Sequence, residues 1–165
     1  CHGCAASLVG GIKLNLATFE APNAQPTAVE VSEETPNLAV PILGQVAAGS
    51  PTLAAENLAG EVNLVKHTFA EQPDFFLQVK GLSMLHAGIL EDDLLAVRKT
   101  NELPRNGQLV VARLGDEVTV KRFKKRGNQV TLQAENPDYP NIKVNLAVDE
   151  LVIEGLAVGL LRQGV

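Results

Sequence analysis

Residues 110–121 constrain the fold of this chain most. Val110-Val-Ala-Arg-Leu114 and Glu117-Val-Thr-Val-Lys121 are rich in β-branched residues and flank Gly115-Asp116, a loop with the Gly-X pattern of a tight hairpin. Such a short loop fixes register. Leu114 opposes Glu117, Ala112 opposes Thr119 and Val110 opposes Lys121. Side chains alternate across a strand, so Lys121 shares its face with Thr119, Phe123, Ala112 and Val110. That face is nearly all apolar. Either the lysine sits on an edge strand and its head snorkels into water, or it is buried, and desolvation of the ammonium lowers its pKa.

The same grammar recurs along the chain. Short β-prone runs occur at Phe75–Val79, Leu94–Arg98, Gln108–Leu114, Glu117–Phe123, Gln129–Gln133, Ile142–Leu146 and Leu151–Leu161, with turns such as Arg126-Gly127-Asn128 between them. Only Met84–Leu90 and Ala147–Glu150 hint at helical turns. The reading is mainly β: a twisted, mostly antiparallel sheet with Ser83 at the end of a strand. The 165 residues at 45% hydrophobic content support one substantial domain, and with aromatics at 4% and no Trp the core must be aliphatic. No apolar run approaches the roughly 18 residues of a membrane span. Leu151–Leu161 is long, apolar and ill suited to an exposed edge. The two cysteines lie in Cys1-His-Gly-Cys4, without a second pair of ligands, so neither a zinc site nor a disulfide-built scaffold is expected.

Gly81-Leu82-Ser83-Met84 places a serine on a Gly-flanked turn. A serine needs a base to become a nucleophile, and His2, His67 and His86 lack a convincing triad context. A lysine serves if it can lose its proton near neutral pH, at a cost of about 1.4 kcal/mol per pKa unit of lowering. Lys121, on its apolar face, is the candidate.

Three segments together resemble the C-terminal domain of the LexA repressor family, the self-cleaving serine/lysine peptidases that include UmuD and phage repressors. They are Val40-Pro-Ile-Leu-Gly-Gln-Val-Ala-Ala-Gly49, Val79-Lys-Gly-Leu-Ser-Met84 with Asp93-Leu-Leu-Ala-Val97, and Val110 through Lys125; Ile153-Glu-Gly-Leu-Ala-Val-Gly159 resembles the closing strand. The resemblance runs from about residue 39 to the C-terminus. It implies that Ser83 is the nucleophile, Lys121 the general base and Ala48-Gly49 the scissile bond, with the backbone N–H groups of Leu82 and Ser83 as oxyanion donors. Bacterial signal peptidases share the dyad and a similar turn but are membrane-tethered. The resemblance further implies a cytoplasmic homodimer formed through the C-terminal strand region, with no cofactor. RecA on single-stranded DNA would act as co-protease, and operator DNA would be bound through an N-terminal domain.

Departures from the family pattern are local. Glu91-Asp92-Asp93 stands where Gly usually precedes the aspartate, so the turn is expected not to need a positive φ, with Asp93 capping it. Asn101–Gly107 is one residue longer than usual, and Glu56 replaces a familiar Gln.

The chain begins without Met, its only Met being Met84, and reads as a piece of a longer protein. Ala5–Asn15 resembles the last wing strand of the family's winged helix-turn-helix domain, whose recognition helix would lie upstream. Between Lys13 and Lys66 no Lys or Arg occurs, and Pro22, Pro26 and Pro36 punctuate an acidic stretch that reads as a mobile linker. The domains are thus expected at 1–16 (wing remnant), 17–38 (linker) and 39–165 (self-cleavage and dimerisation). A net charge of −5 makes the chain alone a poor DNA ligand. The basic run Lys121–Arg126 is either a patch for an anionic partner or a solvated hairpin end that guards against edge pairing. Two other readings compete: a UmuD-like accessory factor of a translesion polymerase or a phage repressor, and a binding module with a dead dyad.

Overall fold

A computed structural model describes the backbone of two short strands near the N-terminus and residues 37–44 and 58–164. Strands β1 (Ala6–Val9) and β2 (Ile12–Asn15) form an antiparallel hairpin within a unit, Cys1–Glu34, distinct from Thr35–Val165. The stretch read as a mobile linker lies outside the described residues except for its last two positions. Leu38 already pairs with Leu64, so the folded sheet starts slightly before the expected boundary at 39.

The larger unit is a single open sheet. Its strands are β3 (Leu38–Leu43), β4 (Leu58–Leu64), β5 (Phe75–Gln78), β6 (Leu94–Arg98), β7 (Leu109–Leu114), β8 (Glu117–Arg126), β9 (Gln129–Gln133), β10 (Ile142–Asn145) and β11 (Val152–Leu161). Their order is β10-β9-β8-β7-β11-β6-β5-β3-β4. Every pairing is antiparallel except β3 with β5, which runs parallel through Ile42↔Phe76 and Leu43↔Leu77. The mainly β, mostly antiparallel expectation holds.

All seven runs read as strands are strands, most within a residue of their expected ends. The exception is β8, which continues to Arg126 because Lys124–Arg126 remain paired with β9. The region read as helical at Met84–Leu90 contains one 3₁₀ turn, Leu85–Ala87. Strands β3 and β4 carry no strand signal in the sequence. Pro41 sits mid-strand in β3, where it cannot donate to a ladder, and β4 mixes Ala, Gly, Glu and Asn. Their pairing, Leu38↔Leu64 to Leu43↔Leu58, supplies what local propensity does not.

The long apolar β11 is not an edge. Its first half pairs with β7 and its second half with β6, with register shifts before Gly155 and Gly159. A Cβ at Gly155 would lie 2.6 Å from the Arg98 carbonyl oxygen, so the two backbones approach where only glycine fits. Pairing on both sides removes the edge hazard, while most side chains of β11 stay half-buried.

Apolar side chains cover both faces of the central strands, which explains their near-continuous apolar runs. Phe75 and Leu77 pack in one cluster with Val97 and Val111, whereas Phe76, between them, packs with Val40, Leu94 and Ala96. Val110 and Ala112 join Phe123, Val130, Leu132 and Val144 in a third. Lys121 stands on β8 two positions before Phe123 and opposite Val110, on the strand face that feeds this third cluster.

Candidate active site

The segment after β5 builds the serine turn. The Val79 N–H donates to the Asp93 carbonyl (2.9 Å) and the Asp92 N–H to the Val79 carbonyl (2.9 Å), which closes a loop carrying Ser83. Gly81 adopts φ +75° to start the turn, and Gly88, at φ +79°, ends the 3₁₀ turn after it. Met84 is buried and anchors the turn from beneath.

Lys121 comes from the middle of β8 in the register read from the hairpin, opposite Val110. Strand β8 lies between β7 and β9, so the lysine is not on an edge, and at 6% exposure its head does not snorkel. Its Nζ lies 2.8 Å from Ser83 Oγ, 2.7 Å from Thr119 Oγ1 and 3.0 Å from the Val120 carbonyl oxygen. Burial pushes the ammonium pKa down, and the charge of Glu117 opposes this in part. With its proton lost, the amine keeps two N–H donors for Thr119 and Val120, and its lone pair faces the serine hydroxyl. Thr119 was visible in the sequence only as a neighbour on the same face. Its hydroxyl contact depends on the rotamer, which alternation does not encode.

Ser83 lies in a cleft of about 360 Å³ bounded on one side by Gln78–Gly81 and on the other by Asp116–Val120. Gly44, just past the end of β3, also lines it. Ala48, Gly49 and Glu56 lie outside the described residues. The described chain leaves at Gly44 and returns at Leu58, which pairs with Leu43.

Of the two expected oxyanion donors, the Leu82 N–H donates to the Tyr139 hydroxyl (3.3 Å), whereas the Ser83 N–H has no hydrogen-bond partner among the described residues. The segment 134–139 braces this turn. The Glu135 N–H donates to the Ser83 carbonyl (2.8 Å), the His86 N–H to the Glu135 carbonyl (2.8 Å) and Asn136 Nδ2 to the Leu82 carbonyl (2.8 Å). Nothing in the sequence pointed to this segment, because it is remote from the serine along the chain and carries no motif.

One expectation about this loop is corrected. Asp92 adopts φ +66°, the left-handed region, so the turn does need the conformation that glycine would supply. Asp tolerates this region better than most residues, and its carboxylate is held by Lys80 (2.7 Å) and Gln78 (3.1 Å). Asp93 does cap the turn, accepting the Leu90 N–H at 2.7 Å. It also takes two bonds from Arg162 (2.7 and 2.6 Å), which tie the end of β11 to the serine loop. Arg162 and the Leu90 N–H hold the Asp93 carboxyl below the usual carboxylate range, against its desolvation.

His67 and His86 do not line the cleft, and His2 is outside the described residues. Among the described residues no cluster of His, Cys, Asp and Glu could hold a metal, and no helix is long and apolar enough to cross a membrane. In the basic run, Arg122 pairs with Glu135 while Lys124–Arg126 form the outer end of the β8–β9 hairpin.

Residues 41–158 match the family described as Peptidase S24-like. The chain is 54% identical over 132 residues to the LexA repressor of Marinomonas sp. (strain MWYL1), covering 80% of this chain and 63% of that protein. It is 49% identical over 152 residues to the LexA repressor of Cupriavidus pinatubonensis (92% and 69%), and 55% identical over 133 residues to that of Shewanella pealeana (81% and 64%). The chain thus spans less than two thirds of the Marinomonas and Shewanella relatives.

Proposed function

The chain belongs to the Peptidase S24-like family, and from that premise we propose that it is the self-cleaving part of a LexA-type repressor of the DNA-damage response. Ser83 is the nucleophile, Lys121 the general base and Ala48-Gly49 the bond cut. The observation that carries this reading is the 2.8 Å approach of a buried, pKa-lowered amine to a serine hydroxyl inside a cleft.

The scissile segment is tethered where it is needed. Gly44 lines the same cleft as Ser83, and the four residues from it to Ala48 reach at most about 14 Å. Such tethering makes the attack effectively unimolecular. Docking removes the remaining water from Lys121. The neutral amine takes the Ser83 Oγ proton as the Oγ–C bond forms at Ala48, and the Ser83 N–H, joined by that of Leu82 if it exchanges the Tyr139 hydroxyl, stabilises the oxyanion. Protonated Lys121 returns that proton to the Gly49 nitrogen as the C–N bond breaks. Water then hydrolyses the acyl-serine.

RecA on single-stranded DNA would favour the docked state, a population shift rather than new chemistry. In a homodimer that holds operator DNA through two N-terminal domains, the cut would separate DNA binding from dimerisation and abolish avidity. The relatives' name as repressors supports this role over that of a polymerase accessory factor.

The test is self-cleavage of the purified chain from pH 7 to 10.5, read by intact mass beside Ser83→Ala and Lys121→Ala. Fragments ending at Ala48 and beginning at Gly49, increasing with pH until Lys121 is neutral and missing from both variants, are expected. Cleavage that persists in either variant, or a parent that stays whole at every pH, would sink the assignment.

A further inference from the structure

We infer that Asn136 is a positioning residue for the reaction, because it aims the Ser83 N–H into the cleft. This rests on the reading of Ser83 as nucleophile and assigns a role to a residue remote from it in sequence.

One peptide unit links the two residues. The Leu82 carbonyl and the Ser83 N–H belong to the same planar trans peptide and point in opposite directions. Asn136 Nδ2 donates to that carbonyl at 2.8 Å. Asn136 does not line the cleft; it lines a separate hollow with His86 and Tyr139, whereas Ser83 lines the cleft. Holding the carbonyl on the Asn136 side therefore turns the N–H toward the cleft, where an oxyanion would form.

The clamp itself is locked. Asn136 is 8% exposed, and its Oδ1 accepts the Asp138 N–H at 3.0 Å, so both ends of the carboxamide are committed. The units on either side are fixed as well. The Tyr139 hydroxyl accepts the Leu82 N–H of the preceding peptide, and the Glu135 N–H donates to the Ser83 carbonyl of the following one. Of these three contacts, only that of Asn136 bears on the peptide that carries the Ser83 N–H, whose carbonyl also accepts the Leu85 N–H at 3.2 Å, the longer of its two bonds. Without it, the Leu82–Ser83 peptide keeps only the longer Leu85 bond of the 3₁₀ turn and is freer to rotate by a crankshaft motion of its flanking dihedrals.

The test compares pH–rate profiles of self-cleavage for the parent, Asn136→Ala and Asn136→Asp. Aspartate preserves shape and the acceptor for Asp138 but cannot donate to Leu82. Loss of an oriented oxyanion donor lowers rates by roughly 100-fold or more. Both variants should reach a high-pH plateau at least about 30-fold lower. The midpoint of the alanine variant should match the parent's, since Lys121 is untouched. Tyr139→Phe, which frees the Leu82 N–H without touching the peptide that carries the Ser83 N–H, should not lower the plateau by more than about threefold. Thermal melting accompanies each rate.

Plateaus within about threefold of the parent for both Asn136 variants would overturn the inference while leaving the dyad intact. A displaced midpoint in the alanine variant, or a rate loss that tracks melting of the domain, would also overturn it, in favour of a scaffolding role. A parent that never cleaves would overturn both this and the proposed function.

Discussion

Replacing Lys121 by methionine should stabilise the protein. The lysine is 6% exposed, on the strand face of Val110, Ala112 and Phe123, and its pKa is lowered by burial. A folded-state pKa below the unfolded one means that the native chain holds fewer protons between those two values. Stability of the parent therefore rises with pH across that window, and the penalty is full below the folded pKa. Methionine has similar length and no charge to desolvate. Against that gain stands the loss of bonds to Thr119 Oγ1 (2.7 Å) and the Val120 carbonyl (3.0 Å), each worth about 1 kcal/mol net. Swaps of buried charge for apolar volume run from neutral to about 4 kcal/mol stabilising. The net expectation is about 1–2 kcal/mol in favour of Lys121→Met at pH 7. Both chains should carry Ser83→Ala, so that none is lost to cleavage. Urea unfolding from pH 6.5 to 10.5 should show the two curves converging as pH rises toward the free-lysine value. A methionine variant less stable at pH 7, with a gap that does not change with pH, would refute the claim that Lys121 is held at a cost.

Two further outcomes concern contacts away from the dyad. Gly159→Ala drives a Cβ into the Phe69 ring, an overpacking worth about 1–3 kcal/mol; adding Phe69→Leu should recover more than half of the loss in urea unfolding, and equal losses in both backgrounds would count against the contact. Asp93→Asn should cost about 2 kcal/mol at neutral pH, because it halves the acceptor set facing Arg162 and Leu90. Since the folded Asp93 pKa is depressed, its contribution is present above the ordinary aspartate range and lost as pH falls through the folded value. The gap between parent and variant should close on acidification, and a gap unchanged down to pH 2 would contradict this.

Local chemistry determined much of what positions the dyad. The Gly115-Asp116 loop set the β7–β8 register, and alternation then placed Lys121 on an apolar face beside Thr119, Val110 and Phe123. Gly81 marked the serine turn in the sequence, and it takes the positive φ that the turn needs. These signals are short-range, so the residues that carry them are neighbours in sequence or across one turn.

The features that stayed illegible involve partners far apart along the chain. Pro41 and the mixed composition of β4 hid two strands that exist because they pair with each other and, through β3, with β5. The left-handed Asp92 was missed because its conformation is held by Lys80, Gln78 and the Val79 carbonyl rather than by its own preference. The place of β11 depended on β6 and β7 both reaching it, which made a run too apolar for an exposed edge an inner strand. Most strands and the hairpin register could be read from the amino acids alone, because each reflects steric and apolar preferences within a few positions, whereas Ser83 and Lys121 were singled out as a pair by the family resemblance. It took the folded sheet to bring Lys121 Nζ to Ser83 Oγ and to set Asn136 on the peptide beside it. Both contacts close long loops, and their geometry is set by the packing of strands whose local sequences carry no record of one another.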